Sequence, residues 1–207
     1  MEKRRFIWII SAGVGSRDYL TYKAYETASR MDLLLGSKRF KELFEHKNYI
    51  VLKDFYTELD NIILSNTNKK IGIVVSGDAG FFSLANIIYK RYGQYIKETI
   101  PGISSFQLAF AKIPEGYEDA VFYSLHSKKQ SLDNIDFQSN DKIVILLGEY
   151  SAKDLLNAKP ALIKEFDIFV GCNLSFQDEH FFLLSDIDSI PSKNNLCLLI
   201  LKRKQYV

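Results

Sequence analysis

IGIVVSGDAGFFS, residues 71–83, decides how this 207-residue chain is read. Ile71, Ile73, Val74 and Val75 make a short, nearly continuous apolar run, the pattern of a parallel-sheet strand that helices cover on both faces. The character changes abruptly after Val75. Ser76, Gly77 and Asp78 are small or polar, Gly80 adds a second flexible point, and residues 81–89 read as a helix with recurring apolar side chains. Ligands of open α/β sheets bind in the crevice beyond the carboxyl ends of the strands, so a site is expected at this turn. Asp78 has two readings. It is a helix N-cap that satisfies orphan amides, or it lines a ligand site, and the loop alone does not separate them.

Working outward, the chain is 47% hydrophobic and 25% charged, the composition of a globular protein of one large domain or two small ones with a full core. Its 27 basic and 25 acidic residues leave a formal net charge of +2, which gives no general electrostatic footprint for nucleic acid. Cys172 and Cys197 are the only cysteines. Two are too few for a disulfide framework, and they lack CxxC or nearby histidine spacing for zinc, so both are expected to be ordinary buried residues. The N-terminal sequence MEKRRFIWIISAG has an apolar run shorter than the about 7–15 residues of a signal-peptide core, and no stretch approaches the about 18 of a membrane span. A cytoplasmic protein is the resulting expectation.

Strand and helix alternate along the first half. Residues 6–10 read as a strand, and SAGVGSRDYLT then supplies a Gly-x-Gly turn into a helix over about 18–30. A dinucleotide fingerprint needs a third glycine where Asp18 stands, and an acidic residue about 20 positions later at the end of the second strand, whereas Asp32 precedes residues 33–35. A nicotinamide cofactor is disfavoured, and no Gly-Lys-Ser/Thr follows any glycine-rich turn, so a Walker loop fails as well. Residues 33–36 and 50–52 read as strands, 39–45 and 58–64 as helices. Residues 95–100 form another strand before PGISS, residues 101–105. Pro101 and Gly102 bend the chain there while Ser104 and Ser105 stand at a helix start, where serine serves as a cap or as a ligand donor.

PEGYED, residues 114–119, has the composition of a connection, which predicts two α/β domains over 1–115 and 116–207. The second half reads as strands over 120–123, 142–147, 167–170, 180–184 and 196–201, with a helical pattern over 151–163 that Pro160 interrupts. His126 follows the first of these strands. No second ligand lies at metal spacing from it, and neither a Ser/His/Asp elbow nor HExxH is present, so a metal site and the common hydrolases are disfavoured.

Four stretches in order, SAGVGSRDYLT, SGDAGFFS, PGISSFQLAFAKI and EDAVFYSLHSKK, with the later VGCNLSFQDEH, make the chain resemble the tetrapyrrole methylase superfamily, and within it the subunits that methylate a late corrin precursor. The resemblance spans nearly all of residues 6–201. Val14 and Ser16 stand where the first loop of the family has proline and aspartate, Ala79 where the central loop has proline, and Ser127 and Lys128 where Gly and Arg follow the histidine. None of these removes a group that must donate a proton or attack, so activity is expected to survive.

The resemblance implies a two-domain α/β fold with the active-site cleft between the domains, and S-adenosylmethionine as cofactor. Carried over by motif, the cofactor-lining residues are Gly13, Val14, Gly77, Asp78, Phe81, Ser104 and Ser105, joined by Leu147 and Asn173 from the second domain. His126, Lys128 and Lys129 are the implied substrate contacts, and no catalytic side chain is assigned. It further implies methylation at carbon 5 of a cobalt-precorrin or precorrin in cobalamin biosynthesis, a homodimer, and no membrane or nucleic-acid partner. Only six residues follow 196–201, so the later decarboxylating methylation is expected from a separate protein. Two other readings remain: a methylase of the same superfamily acting at another carbon or on a modified protein residue, and a binding-only subunit.

Overall fold

The computed structural model describes residues 6–126, 131–148, 150–191 and 196–205. Its contacts divide the chain into two compact units, Met1–Ser104 and Ser105–Val207. In the first unit the strands are β1 (Phe6–Ser11), β2 (Leu33–Gly36), β3 (Tyr49–Val51), β4 (Lys70–Val75) and β5 (Ile96–Ile100), interleaved with helices α1 (Tyr22–Ser29), α2 (Lys41–Phe44), α3 (Phe55–Ser65) and α4 (Ala85–Tyr92). The sheet order is β3-β2-β4-β1-β5 and every pairing is parallel.

Alternation along the strands sorts their side chains to two faces. Ile7, Ile9, Leu35, Ile71 and Ile73 pack with Leu59 and Ile63 of α3 and with Ala85 and Ile88 of α4. Ile10, Leu34 and Val74 pack with Ala24 and Ala28 of α1 and with Leu43 and Phe44 of α2. Burial on both faces is why residues 71–75 read as a continuous apolar run rather than an alternating one. The strand order also places the site. The chain leaves β4 and crosses β1 to reach β5, so three adjacent parallel strands, β4, β1 and β5, present their carboxyl ends side by side.

Two helices begin later than their sequence patterns suggest. After β1 there is only a single 3-10 turn, Arg17–Tyr19, and α1 starts at Tyr22 because the Thr21 side chain accepts the Ala24 amide at 3.2 Å and caps it there. The helix read over 81–89 is α4, Ala85–Tyr92. Phe82 has φ +44°, which no right-handed helix accommodates, so residues 76–84 form a long loop instead.

The second unit contains α5 (Ser105–Lys112), β6 (Val121–Ser124), β7 (Lys142–Leu146), α6 (Ala152–Ala158), α7 (Ala161–Glu165), β8 (Phe166–Cys172), β9 (His180–Leu183) and β10 (Cys197–Arg203). Pro160 breaks the helical pattern between α6 and α7. The mixed sheet has order β6-β7-β10-β8-β9, with β6 parallel to β7 and the other pairings antiparallel. Leu155, Leu156 and Leu162 of α6 and α7 close its core against Ile143, Ile145, Phe166, Ile168, Leu199 and Leu201. The units part ahead of the connection expected around residue 115 because α5 packs onward in sequence. Phe106 meets the rings of Tyr117 and Phe122 edge-on at 5.1 and 4.7 Å, which joins α5 and the PEGYED segment to β6.

The cysteines depart from expectation. Cys172, the last residue of β8, and Cys197, the first of β10, face each other in register and form a disulfide. Their neighbours Asn173 and Leu196 exchange backbone and side-chain hydrogen bonds, which leaves 172 and 197 as the intervening pair, where antiparallel side chains come closest. That proximity depends on register and is invisible in cysteine spacing.

Candidate functional site

The site is built from backbone at the ends of β4, β1 and β5. Past the last ladder residues of the parallel pair β1 and β4, Gly13 and Gly77 form an isolated antiparallel bridge, each amide donating to the carbonyl of the other at 3.2 and 2.9 Å. Both have positive φ, +62° and +66°, a conformation that turns the chain immediately and that glycine adopts without strain. A side chain on Gly13 would strike the Tyr19 carbonyl at 2.8 Å, whereas one on Gly77 would meet nothing within 4 Å. The Cα of Gly77 therefore faces open space while its amide and carbonyl are engaged with Gly13, which leaves room for a ligand to approach the turn.

Asp78 ties the loops together. Its Oδ1 accepts the Gly102 amide and its Oδ2 the Gly80 amide, both at 2.9 Å. The capping reading is thereby overturned: α4 starts seven residues later, at Ala85, and there the Ser83 hydroxyl accepts the helix-start amide. Gly102 sits so close to its neighbours that an added Cβ would lie 2.5 Å from the Ser11 Cβ and 2.7 Å from the Gly77 carbonyl oxygen. Ser11 is fully buried, and its hydroxyl accepts the Ala79 amide at 2.9 Å. A proline at 79, as the resembled family carries, has no such amide to give, so this departure adds a loop-to-strand hydrogen bond.

Val14 and Phe81 flank this cradle and are half-buried, Ser104 is buried, and Ser105 opens α5. The Ser16 hydroxyl is buried and has no hydrogen-bond partner among the described residues. Ser11, Gly102 and Ser16 were not among the site residues expected from the sequence. A buried hydroxyl closing the apolar strand FIWIIS was the available signal for Ser11; the other two depend on tertiary contacts.

In the second unit, β6, β7 and β8 end on the same side of the sheet as β10 begins. His126 follows β6, and its Nδ1 lies 3.0 Å from the buried Ser124 hydroxyl. Gly148, with φ +62°, packs so tightly that an added Cβ would lie 2.8 Å from the His126 Cα. Leu147 is fully buried; its amide donates to the Cys197 carbonyl at 3.1 Å, and its carbonyl accepts from Tyr150 at 3.0 Å. Asn173 has φ +49°, and its side chain bridges the Asp178 carboxylate, at 2.7 Å, and the Leu196 amide, at 3.1 Å. Leu147 and Asn173 thus flank the start of β10 and are used to hold that end of the sheet. Lys128 and Lys129 lie outside the described residues.

Lys112 of α5 pairs with Glu179 at 2.5 Å, and the other Glu179 carboxylate oxygen accepts the Ser175 amide at 2.6 Å. Partial burial pushes the Glu179 carboxyl upward, but the Lys112 and Ser175 bonds outweigh it and hold the group below the usual carboxylate range. A cavity of about 840 Å³, lined by Tyr25, Arg30, His46 and Lys69 among others, opens at the amino ends of β2, β3 and β4, the opposite end of the sheet from the three loops. His46 is satisfied there by the Met31 carbonyl and the Asn48 amide. No helix among the described residues is long and apolar enough to cross a membrane.

The family model for Tetrapyrrole (Corrin/Porphyrin) Methylases matches residues 7–188. A probable cobalt-precorrin-7 C(5)-methyltransferase of Methanocaldococcus jannaschii is 34% identical over 190 residues, which cover 86% of this chain and 89% of that protein. Among solved structures, the cobalamin-biosynthesis precorrin-6Y methylase of Archaeoglobus fulgidus superposes with a TM-score of 0.73 at 20% identity, over 97% of this chain and 99% of its own. Diphthine synthase superposes with a TM-score of 0.74 at 13% identity, over 95% and 89%. At such identities the structural likeness shows the fold.

Proposed function

The chain belongs to the tetrapyrrole (corrin/porphyrin) methylases, and we propose that it transfers the methyl group of S-adenosylmethionine to carbon 5 of a cobalt-precorrin in cobalamin biosynthesis. The observation that carries this reading is the 34% identity, over 89% of its length, to a relative named for that reaction.

The residues present fit the cofactor. Two of the roughly four lone-pair positions of the Asp78 carboxylate are taken by Gly80 and Gly102, which leaves acceptor capacity for a hydroxyl or ammonium group. Gly77 leaves open space at its Cα, and the buried Ser16 hydroxyl is unsatisfied among the described residues. Gly13, Val14, Gly77, Asp78, Phe81, Ser104 and Ser105 hold the cofactor in this reading. When bound, S-adenosylmethionine supplies a methyl group that is already electrophilic. The protein's task is then to hold it in line with a nucleophilic ring carbon, an orientation effect of about 7–11 kcal/mol, and no side-chain nucleophile is required.

His126, Lys128 and Lys129 meet the macrocycle carboxylates. The enzyme acts as a cytoplasmic homodimer, and a separate protein performs the later decarboxylating methylation. Support for that division is the relative's name, which records the C(5) activity alone over a length this chain nearly spans. Disulfides are uncommon in a reducing cytosol, so in this compartment the Cys172–Cys197 pair is partly dithiol.

Incubation with labelled S-adenosylmethionine and cobalt-precorrin-7, followed by mass spectrometry, tests the proposal. The product should gain one methyl group and keep its acetate side chain. Loss of carbon dioxide with this protein alone would refute the division of labour, and cofactor binding without turnover would favour a binding-only subunit.

A further inference from the structure

Phe82 is the only aromatic with positive φ among the described residues, at +44°. That region is a genuine outlier for a bulky side chain and persists only where the surroundings over-determine it. Here they do. On one side, Asp78 clamps Gly80 and Gly102, and the Phe81 amide donates to the Asp78 carbonyl at 3.2 Å. On the other, the Ser83 hydroxyl accepts the amide of Ala85, the first residue of α4, at 3.2 Å.

A residue strained in this way ordinarily gains by burying its side chain, yet Phe82 is 45% exposed and its neighbour Leu84 47% exposed. The Phe82 ring meets that of Phe81 edge-on, with centroids 4.7 Å apart. The strain therefore holds an apolar surface out of the core, on the loop that leaves the carboxyl end of β4 and carries Gly77 and Asp78. A corrin has a broad apolar face rimmed by carboxylates, and an aromatic ring backed by an aliphatic side chain is suited to stack on such a face.

We propose that Phe82, supported by Leu84, is a specificity-determining platform for the apolar face of the tetrapyrrole, an inference that rests on the function proposed above. Phe82→Gly removes the ring and relieves the strain together. Because relief of strain and loss of a half-buried ring oppose each other, its thermal midpoint should move by no more than about 2–4 °C, and S-adenosylmethionine affinity measured by calorimetry should change far less than corrin affinity. Its dissociation constant for cobyrinic acid, a carboxylated cobalt corrin read by visible absorbance without cofactor, should rise about tenfold. Phe82→Trp should restore corrin binding. Unchanged corrin affinity in Phe82→Gly, beside a wild type that binds, overturns the platform and leaves the methyltransferase reading standing. So does a change in mass by light scattering with corrin affinity unaltered, which would make Phe82 a contact between copies. A wild type that binds S-adenosylmethionine but no carboxylated corrin removes the substrate reading beneath the platform as well.

Discussion

Replacing Asp78 by alanine tests whether one carboxylate holds the proposed cofactor loops in register. Two hydrogen bonds are lost, from the Gly102 and Gly80 amides, each 2.9 Å long. Bonds to a charged acceptor contribute about 1.5–3 kcal/mol each when sheltered. The Gly80 bond is exposed, so water replaces most of it, whereas the Gly102 amide is part-buried and is left without its partner. The cost should therefore be set by Gly102, about 2–3 kcal/mol, or about 4–12 °C in thermal midpoint for a chain of this size. A lost helix cap costs about 0.5–2 kcal/mol, so magnitude alone separates the two roles poorly and location must decide. Hydrogen exchange supplies it: the Gly102 amide, 24 residues away in sequence, should lose protection in Asp78→Ala, while the first turn of α4 keeps its own. Asp78→Asn retains an Oδ1 acceptor and should preserve most of the Gly102 protection. Cofactor affinity should fall about tenfold in Asp78→Ala, matching about 1.4 kcal/mol of lost preorganisation. Unchanged Gly102 exchange, with α4 deprotected instead, would refute the reasoning.

Two further outcomes follow from the second unit. The Cys172–Cys197 bond closes a 25-residue separation, for which chain entropy gives about 3.5 kcal/mol; reduction of the wild type and the Cys172→Ala/Cys197→Ala variant should each lower urea-measured stability by about that amount, and no change in either would show that the link is not formed. The depressed Glu179 carboxyl contributes stability that is fully present above its ordinary value of 4.5 and is lost as pH falls through its lower folded value. The stability gap between wild type and Glu179→Gln should accordingly shrink on acidification below that ordinary value, and a gap that stays constant into strong acid would rule the ion pair out.

The first sheet was legible because physics wrote it locally. Parallel strands covered on both faces require apolar runs, and 6–10, 33–36 and 71–75 supply them at the centre of the sheet; the turn residues of SAGVGS, SGDAG and PGISS then mark where β1, β4 and β5 stop. What sequence could not show is anything that joins distant positions. Asp78 precedes a helical pattern and so looks like its cap, yet its partner Gly102 is brought within reach only by the strand order that sets β5 beside β1. The same holds for the cysteines, whose pairing is set by the register of β8 against β10. The expected connection at 114–119 has the right composition, but aromatic packing of Phe106 and Phe110 on Tyr117 draws it into the second unit.

Ala79 shows how a departure from a family pattern is best judged. Proline in a tight loop stabilises by restricting the unfolded chain, an effect of about 0.4–1 kcal/mol, so its replacement by alanine looks like a loosened loop. The structure supplies a compensation of similar size. Alanine brings an amide, and that amide donates to the hydroxyl of Ser11, a residue with no exposed surface at the end of β1. A buried hydroxyl without a partner costs about 1–3 kcal/mol, so Ser11 and Ala79 are sensible only as a pair: the serine satisfies the amide that proline would lack, and the amide satisfies the serine. Entropic restraint of the central loop has been exchanged for a direct tie between the first and second loops, while Asp78 ties the second to the third. The three segments that carry the proposed cofactor residues of the first unit are therefore fixed to one another by this chain's own groups.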